Sequence, residues 1–87
     1  MLYLPCMSYD ELLNFIKIAI AEETDLPVEK IDVTMSFHSL GLDSLSAISV
    51  LHNIEKKFGI DLNPIHFWDY PTPASFCSFV VKEYVRR

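Results

Sequence analysis

Ser44 stands in the stretch LGLDSLSA, residues 40–47, directly after Asp43 and at the head of a segment with helical periodicity. Two chemistries are open to such a serine. As a catalytic nucleophile it needs a base, but His38, His52 and His66 are scattered, and no spacing pairs any of them with Ser44. The G-x-S-x-G elbow that lifts a nucleophile out of a strand-to-helix turn is also missing. As the bearer of a phosphate-linked group, the serine needs only a helix entrance, where unpaired backbone N–H groups and the helix dipole tolerate an anion. The electrostatic gain at an exposed entrance is about 0.3–1 kcal/mol. That suits a covalently attached phosphate better than a ligand held by affinity alone.

The other reactive side chains have plainer readings. Cys6 and Cys77 are too few and too distant for a disulfide framework or a thiolate metal site. Cys77 falls in an apolar helical pattern and is expected to be buried; Cys6 is expected near an exposed, flexible N-terminus, residues 1–7. His38 is expected to hydrogen-bond within a loop, and His52, two turns beyond Ser44, to lie on the surface. No His, Cys, Asp or Glu cluster has metal-ligand spacing, so no metal is expected.

The elements that must position Ser44 are well punctuated. A first helix is predicted over 9–23, with Ser8 and Glu11 as a capping box and Met7 stapling Leu12. Leu13, Ile16, Ala19 and Ile20 give it a core face, widened by Phe15 and Ile18. A long connection follows, in which Pro27 opens a single turn through Ile31. Ile31, Val33, Phe37, Leu40 and Leu42 anchor it. The second helix is predicted over 44–58, with Asp43 as N-cap and Gly59 as stop. Its Ala47, Val50, Leu51, Ile54 and Phe58 form a buried stripe. Asn63-Pro64 and Thr72-Pro73 repeat one device, a capping side chain before a proline, and open helices over 64–69 and 73–85. Phe76, Cys77, Val80 and Tyr84 share a face on the last. The expected fold is all-α: a small four-helix bundle with a long first loop and a short third helix.

Eighty-seven residues make one small domain, and a half-hydrophobic composition argues for a folded one. Seven basic against twelve acidic residues leave a net charge of −5, which disfavours nucleic acid as a partner. The opening MLYLPCM lacks a basic region and gives way quickly to polar sequence, so neither a signal peptide nor a membrane span is expected, and the cytoplasm is the default.

On the outer side of the second helix, Ile48 lies one turn beyond Ser44 and is the better candidate for an exposed apolar contact. Leu45 is expected to tuck under the neighbouring loop. The plainer account is that both residues simply enlarge the core.

The segment LGLDSLSAISVLHNIEKKFGIDLNPIHFWDYPTP resembles the central and following portion of acyl carrier proteins, most closely the carrier domains of polyketide synthesis. GLDSL matches the attachment motif, and its place between a long loop and the FWDYPTP segment makes the match specific. The resemblance covers roughly Leu12 to Val85. It implies that Ser44 receives a 4′-phosphopantetheine arm from coenzyme A, through a magnesium-dependent phosphopantetheinyl transferase. Acyl or polyketide intermediates then ride on the arm as thioesters. The chain itself is then no enzyme but a monomeric carrier, visiting an acyltransferase, a ketosynthase and other biosynthetic enzymes. Asp43 matches the acidic position before the serine, with roles as helix cap and in transferase recognition. Leu45 and Ile48, with Leu42 and Phe37 on the adjacent loop, match the partner surface. Trp68 is either packing, which is favoured because its segment needs anchoring between two prolines, or an exposed partner contact.

One departure stands out. Carriers of dissociated fatty-acid synthesis have a strongly acidic second helix, whereas here Ser46 and Ser49 replace charge and Glu55 is answered by Lys56 and Lys57. This points toward polyketide or related specialised synthesis. The alternatives are a peptidyl carrier of nonribosomal peptide synthesis and a non-carrier helical interaction domain.

Overall fold

The computed structural model describes residues 8–84. Its elements are α1 (Tyr9–Thr24), a 3-10 turn (Val28–Lys30), α2 (Ser44–Phe58), α3 (His66–Asp69) and α4 (Pro73–Tyr84), with no strand among the described residues. This is the expected four-helix architecture. The expectations for residues 1–7, including a flexible N-terminus, an exposed Cys6 and a Met7 staple, and for the side chain of Tyr84 fall outside the described residues.

The capping box opens α1 as expected: Ser8 Oγ accepts from the Glu11 N–H at 3.1 Å, and Glu11 Oε1 accepts from the Ser8 N–H at 3.2 Å. Two side chains depart from the expected face. Leu12 is fully buried while Leu13 is only half-buried, and Ile18 turns out to solvent instead of widening the core. The helix also runs one residue further than expected. Asp25 takes the left-handed conformation at φ 63°, which a short polar side chain tolerates, and its N–H closes the helix on the Ala21 carbonyl at 2.8 Å.

α1 packs against both α2 and α4. Leu12, Ile16 and Ile20 of α1 meet Val50, Leu51 and Ile54 of α2 and Phe76, Cys77 and Val80 of α4 in one core, all essentially inaccessible to solvent. Each large aliphatic side chain so buried contributes about 1.5–3 kcal/mol. Ala47 and Phe58 sit at the edge of this core, and Phe15 closes it with an edge-on contact to Phe58 at 5.6 Å between ring centres.

The long connection is structured throughout. Pro27 leads into the 3-10 turn, after which Asp32 accepts from both the N–H (2.9 Å) and the hydroxyl (2.6 Å) of Thr34. Two backbone bonds then tie the connection down, one to the segment between α3 and α4 and one to the first turn of α4. The Phe37 N–H donates to the Pro71 carbonyl at 2.8 Å, and the Ala74 N–H donates to the Val33 carbonyl at 3.0 Å. A nineteen-residue connection is thus held at both ends and in its middle.

The two proline devices differ. Thr72 Oγ1 accepts from the Ser75 N–H at 3.1 Å and Pro73 begins α4, as expected. Asn63 instead accepts from the Ile65 N–H at 3.0 Å, a bond only two residues long. The His66 and Phe67 N–H groups reach back three residues, to the Asn63 and Pro64 carbonyls. Pro64 and Ile65 therefore form a tight turn, and α3 begins at His66, not at residue 64.

Candidate functional site

Asp43 is extended at the entrance to α2, and its carboxylate accepts from the Ser46 N–H at 2.9 Å. That bond, seconded by the Ser46 hydroxyl, holds the Asp43 carboxyl below its ordinary range, so it is ionised at neutral pH. With the cap fixed, Ser44 becomes the first helical residue, and it is exposed. Gly41, at φ +102°, provides the reversal that carries the chain from the buried Leu40 to this entrance.

Beside Ser44 runs a groove of about 480 Å³ between the long connection, the start of α2 and α3. Phe37, Leu42, Ala47, Ile48, Phe67 and Trp68 give it apolar walls, and Asp43 and Ser44 stand among its lining. Beneath it lies an aromatic cluster. Phe37 meets Phe67 edge-on at 4.7 Å, Phe67 stacks on Phe76 at 4.8 Å, and Phe76 meets Phe37 edge-on at 5.9 Å. A second stack braces α3 from behind: Phe79 lies 4.5 Å from Tyr70 and 4.6 Å from His66.

The structure gathers the expected site residues here but redistributes their roles. Leu45 does not tuck under the loop; it is 80% exposed, the most open of the large apolar residues among those described. Ile48 is half-buried and lines the groove instead of standing free. The helix geometry explains the exchange: Leu45 sits opposite the core stripe, whereas Ile48 lies on the flank that faces α3. Phe37 and Leu42 are buried, at 5% and 4%, and line the groove. Trp68 is 76% exposed at the groove wall, which corrects the reading that it packs inward; Phe67, its neighbour, supplies the anchoring instead. His52 is exposed and Cys77 is buried, as expected; His38 is exposed in the long connection.

The groove itself was not legible, because Pro64, Phe67 and Pro71 reach it from a distant segment. The excess of phenylalanine at 37, 67 and 76 was the available signal, since rings so far apart in sequence but rich in a small chain favour one cluster. No group of three His, Cys, Asp or Glu side chains gathers among the described residues. Nor is any described helix long and apolar enough to cross a membrane.

An exposed hydroxyl at a helix entrance, with a long groove alongside, fits a phosphate-linked arm. The family of phosphopantetheine attachment sites matches residues 14–80. The chain belongs to that family, and 4′-phosphopantetheine is its cofactor. It is a carrier protein, of a class that is generally non-catalytic.

Among similar proteins, polyketide synthase PksL of Bacillus subtilis is 31% identical over 80 residues, covering 92% of this chain and 2% of that protein. Mycoketide-CoA synthase of Mycobacterium tuberculosis is 33% identical over 73 residues, covering 83% and 2%. The chain thus spans only a small fraction of the curated relatives it matches. A free-standing peptidyl carrier protein of Acinetobacter baumannii superposes with a TM-score of 0.82 at 33% identity, covering 87% of this chain and 95% of that one. The HMG-ACPI domain from the CurA module of Lyngbya majuscula shares the fold at a TM-score of 0.79 and 20% identity, covering 97% and 85%.

Proposed function

We propose that Ser44 is the attachment point and that the chain carries acyl or polyketide intermediates between partner enzymes. The observation that carries this reading is the exposure of Ser44 at the capped entrance of α2, inside the segment matched as an attachment site. When bound, the arm supplies a terminal thiol that holds acyl groups as thioesters. The protein supplies placement: a tether keeps the cargo at high effective concentration near each partner and prevents its escape. Ser44 offers the bond-forming oxygen, while the base and magnesium belong to a phosphopantetheinyl transferase. Asp43 holds the first turn in register and gives the transferase a fixed negative charge to orient on. Leu45 and Trp68, the two widely exposed apolar side chains beside the serine, are the contacts offered to an acyltransferase or ketosynthase. The carrier works as a monomer in the cytoplasm and performs no bond change on its cargo.

The likeness to polyketide synthases favours acyl cargo. The likeness to the free-standing Acinetobacter carrier favours a second reading, an aminoacyl or peptidyl cargo. Incubation with coenzyme A, magnesium and a permissive transferase should add the mass of one phosphopantetheine, and Ser44→Ala should abolish the gain. An unchanged mass, alongside a control carrier that is modified, rejects Ser44 as the site. Loading of a malonyl group by an acyltransferase, against loading of an amino acid by an adenylating enzyme, then separates the two cargoes.

A further inference from the structure

The charge missing from α2 is found on α1. Asp43 and Glu55 balance Lys56 and Lys57 on α2 and its cap, whereas α1 and its cap hold five carboxylates, Asp10, Glu11, Glu22, Glu23 and Asp25, against one lysine, Lys17. A net −4 of the chain's −5 therefore lies on this one element. The charged side chains that adjoin it balance as pairs, Glu29 with Lys30 in the 3-10 turn and Lys82 with Glu83 at the end of α4. Along the outer side of α1, Glu11, Asn14, Ile18, Ala21 and Asp25 recur at alternating intervals of three and four residues, with Asp10 and Glu22 beside them. That is the spacing of a seam that meets a second helix. The core stripe of Leu12, Ile16, Ala19 and Ile20 faces the other way, toward α2 and α4. Ile18 is 47% exposed at the middle of the seam, Leu26 is exposed just past its end, and all its carboxylates are open to solvent. Lys17 stands half-buried at its edge. None of these residues lines the groove beside Ser44.

We infer that this seam is a second interaction surface, taken by a basic helix of a partner protein. An apolar side chain of that helix packs between Ile18 and Ala21, where the small alanine leaves room for it. Lysines or arginines toward its two ends meet Asp10 with Glu11 and Glu22 with Asp25. From Glu11 to Asp25 the seam is about 21 Å long at a rise of about 1.5 Å per residue, so about four turns of partner helix cover it. A neutral or acidic helix finds the same apolar centre but gains nothing from the rim, which makes charge the selector. The face of one helix is small beside the roughly 800 Å² per partner of a stable interface, so the contact is reversible and weakened by salt. The seam stands apart from Ser44, and the contact holds whether or not that serine is the attachment point.

The test titrates the isotope-labelled, unmodified chain with three synthetic peptides of about four helical turns while the backbone amide signals are followed. One peptide has leucines along a heptad seam flanked by lysines. Another has the same seam flanked by glutamates, and the third scrambles the order of the lysine peptide. The lysine peptide should shift the signals of α1 and bind about tenfold more tightly than either of the others at low salt, its affinity falling as salt is raised. Ile18→Gln should weaken its binding about tenfold, as loss of a central apolar contact does. Glu22→Gln with Asp25→Asn should weaken binding and flatten its salt dependence, asparagine being tolerated in the left-handed position of residue 25. Both variants should keep the melting temperature nearly unchanged, and Leu45→Gln, on α2, should leave binding as it was. Equal binding of the scrambled or glutamate peptide, shifts centred on α2 or α3, or indifference to Ile18→Gln overturns the inference. So do α1 shifts that grow as the chain is concentrated without peptide, which would give the seam to a second copy. A failure of arm attachment in the mass experiment rejects the Ser44 reading and leaves this binding result standing.

Discussion

The N–H of Phe37 donates to the carbonyl of Pro71 across 2.8 Å, joining the long connection to the segment between α3 and α4. The same Phe37 ring rests on Phe67 and Phe76. One residue therefore fixes the two walls of the groove at once, by its backbone to one and by its side chain to the other. Phe37→Ala is expected to cost about 3–5 kcal/mol, the range for removing a large buried aromatic ring. Urea unfolding would measure it; Phe37→Leu, which keeps most of the volume, should cost substantially less.

The cap at Asp43 should be separable from its charge. Asp43→Ala is expected to lower the melting temperature measurably, while Asp43→Asn keeps an acceptor for the Ser46 N–H and loses little. Because the folded carboxyl is held below its ordinary value, its contribution is present above that value. It is lost as pH falls through the lowered one. Acid unfolding of Asp43→Asn should lack this component. If transfer of the arm slows in Asp43→Asn while stability holds, the charge serves the transferase.

At the alkaline end the relevant group is Cys77. Burial pushes its thiol from 9.0 to about 12. The folded chain retains a proton that the unfolded chain releases, so stability is intact below pH 9.0 and declines as pH rises toward 12. The decline should approach about 1.4 kcal/mol per pH unit within that window. Cys77→Val, close in volume, should flatten it. Native Cys77 should also resist thiol reagents until the protein unfolds.

Leu45 and Ile48 should now separate cleanly. Leu45→Glu is expected to alter stability by no more than about 0.5 kcal/mol, as surface changes do, yet to impair transfer to partners. Ile48→Glu places a charge against the groove wall and should be measurably destabilising in the same thermal melts.

Trp68 is the chain's single tryptophan, which makes its environment directly readable. Its emission should be that of a solvated indole, readily quenched by acrylamide, and Trp68→Ala should leave the melting temperature nearly unchanged. Protection of this emission by a bound partner would place α3 in the interface.

The helices were legible because their ends are chemically marked. Ser8 with Glu11, Asp43, Gly59 and Thr72-Pro73 each do locally what their types suggest, and local bonds need no knowledge of the rest of the chain. Asn63-Pro64 reads the same but closes a shorter turn, since asparagine can satisfy an N–H two residues on as readily as three. The serine's setting was legible for the same reason as its cap. The groove was not, because its walls come from three segments and the exposure of Leu45 or Trp68 depends on what packs opposite them. Apolar type alone does not distinguish a ring that fills a core, such as Phe76, from one that stands in water, such as Trp68.

Phe76 belongs to α4, far along the chain from the serine, yet it underlies the floor beside it. The hollow consequently depends on the last helix, although no residue of that helix lines it. A chain clipped ahead of Pro73 would keep Ser44 but lose Phe76, Cys77 and Val80, so neither the core nor the shelter beside the hydroxyl would survive the cut.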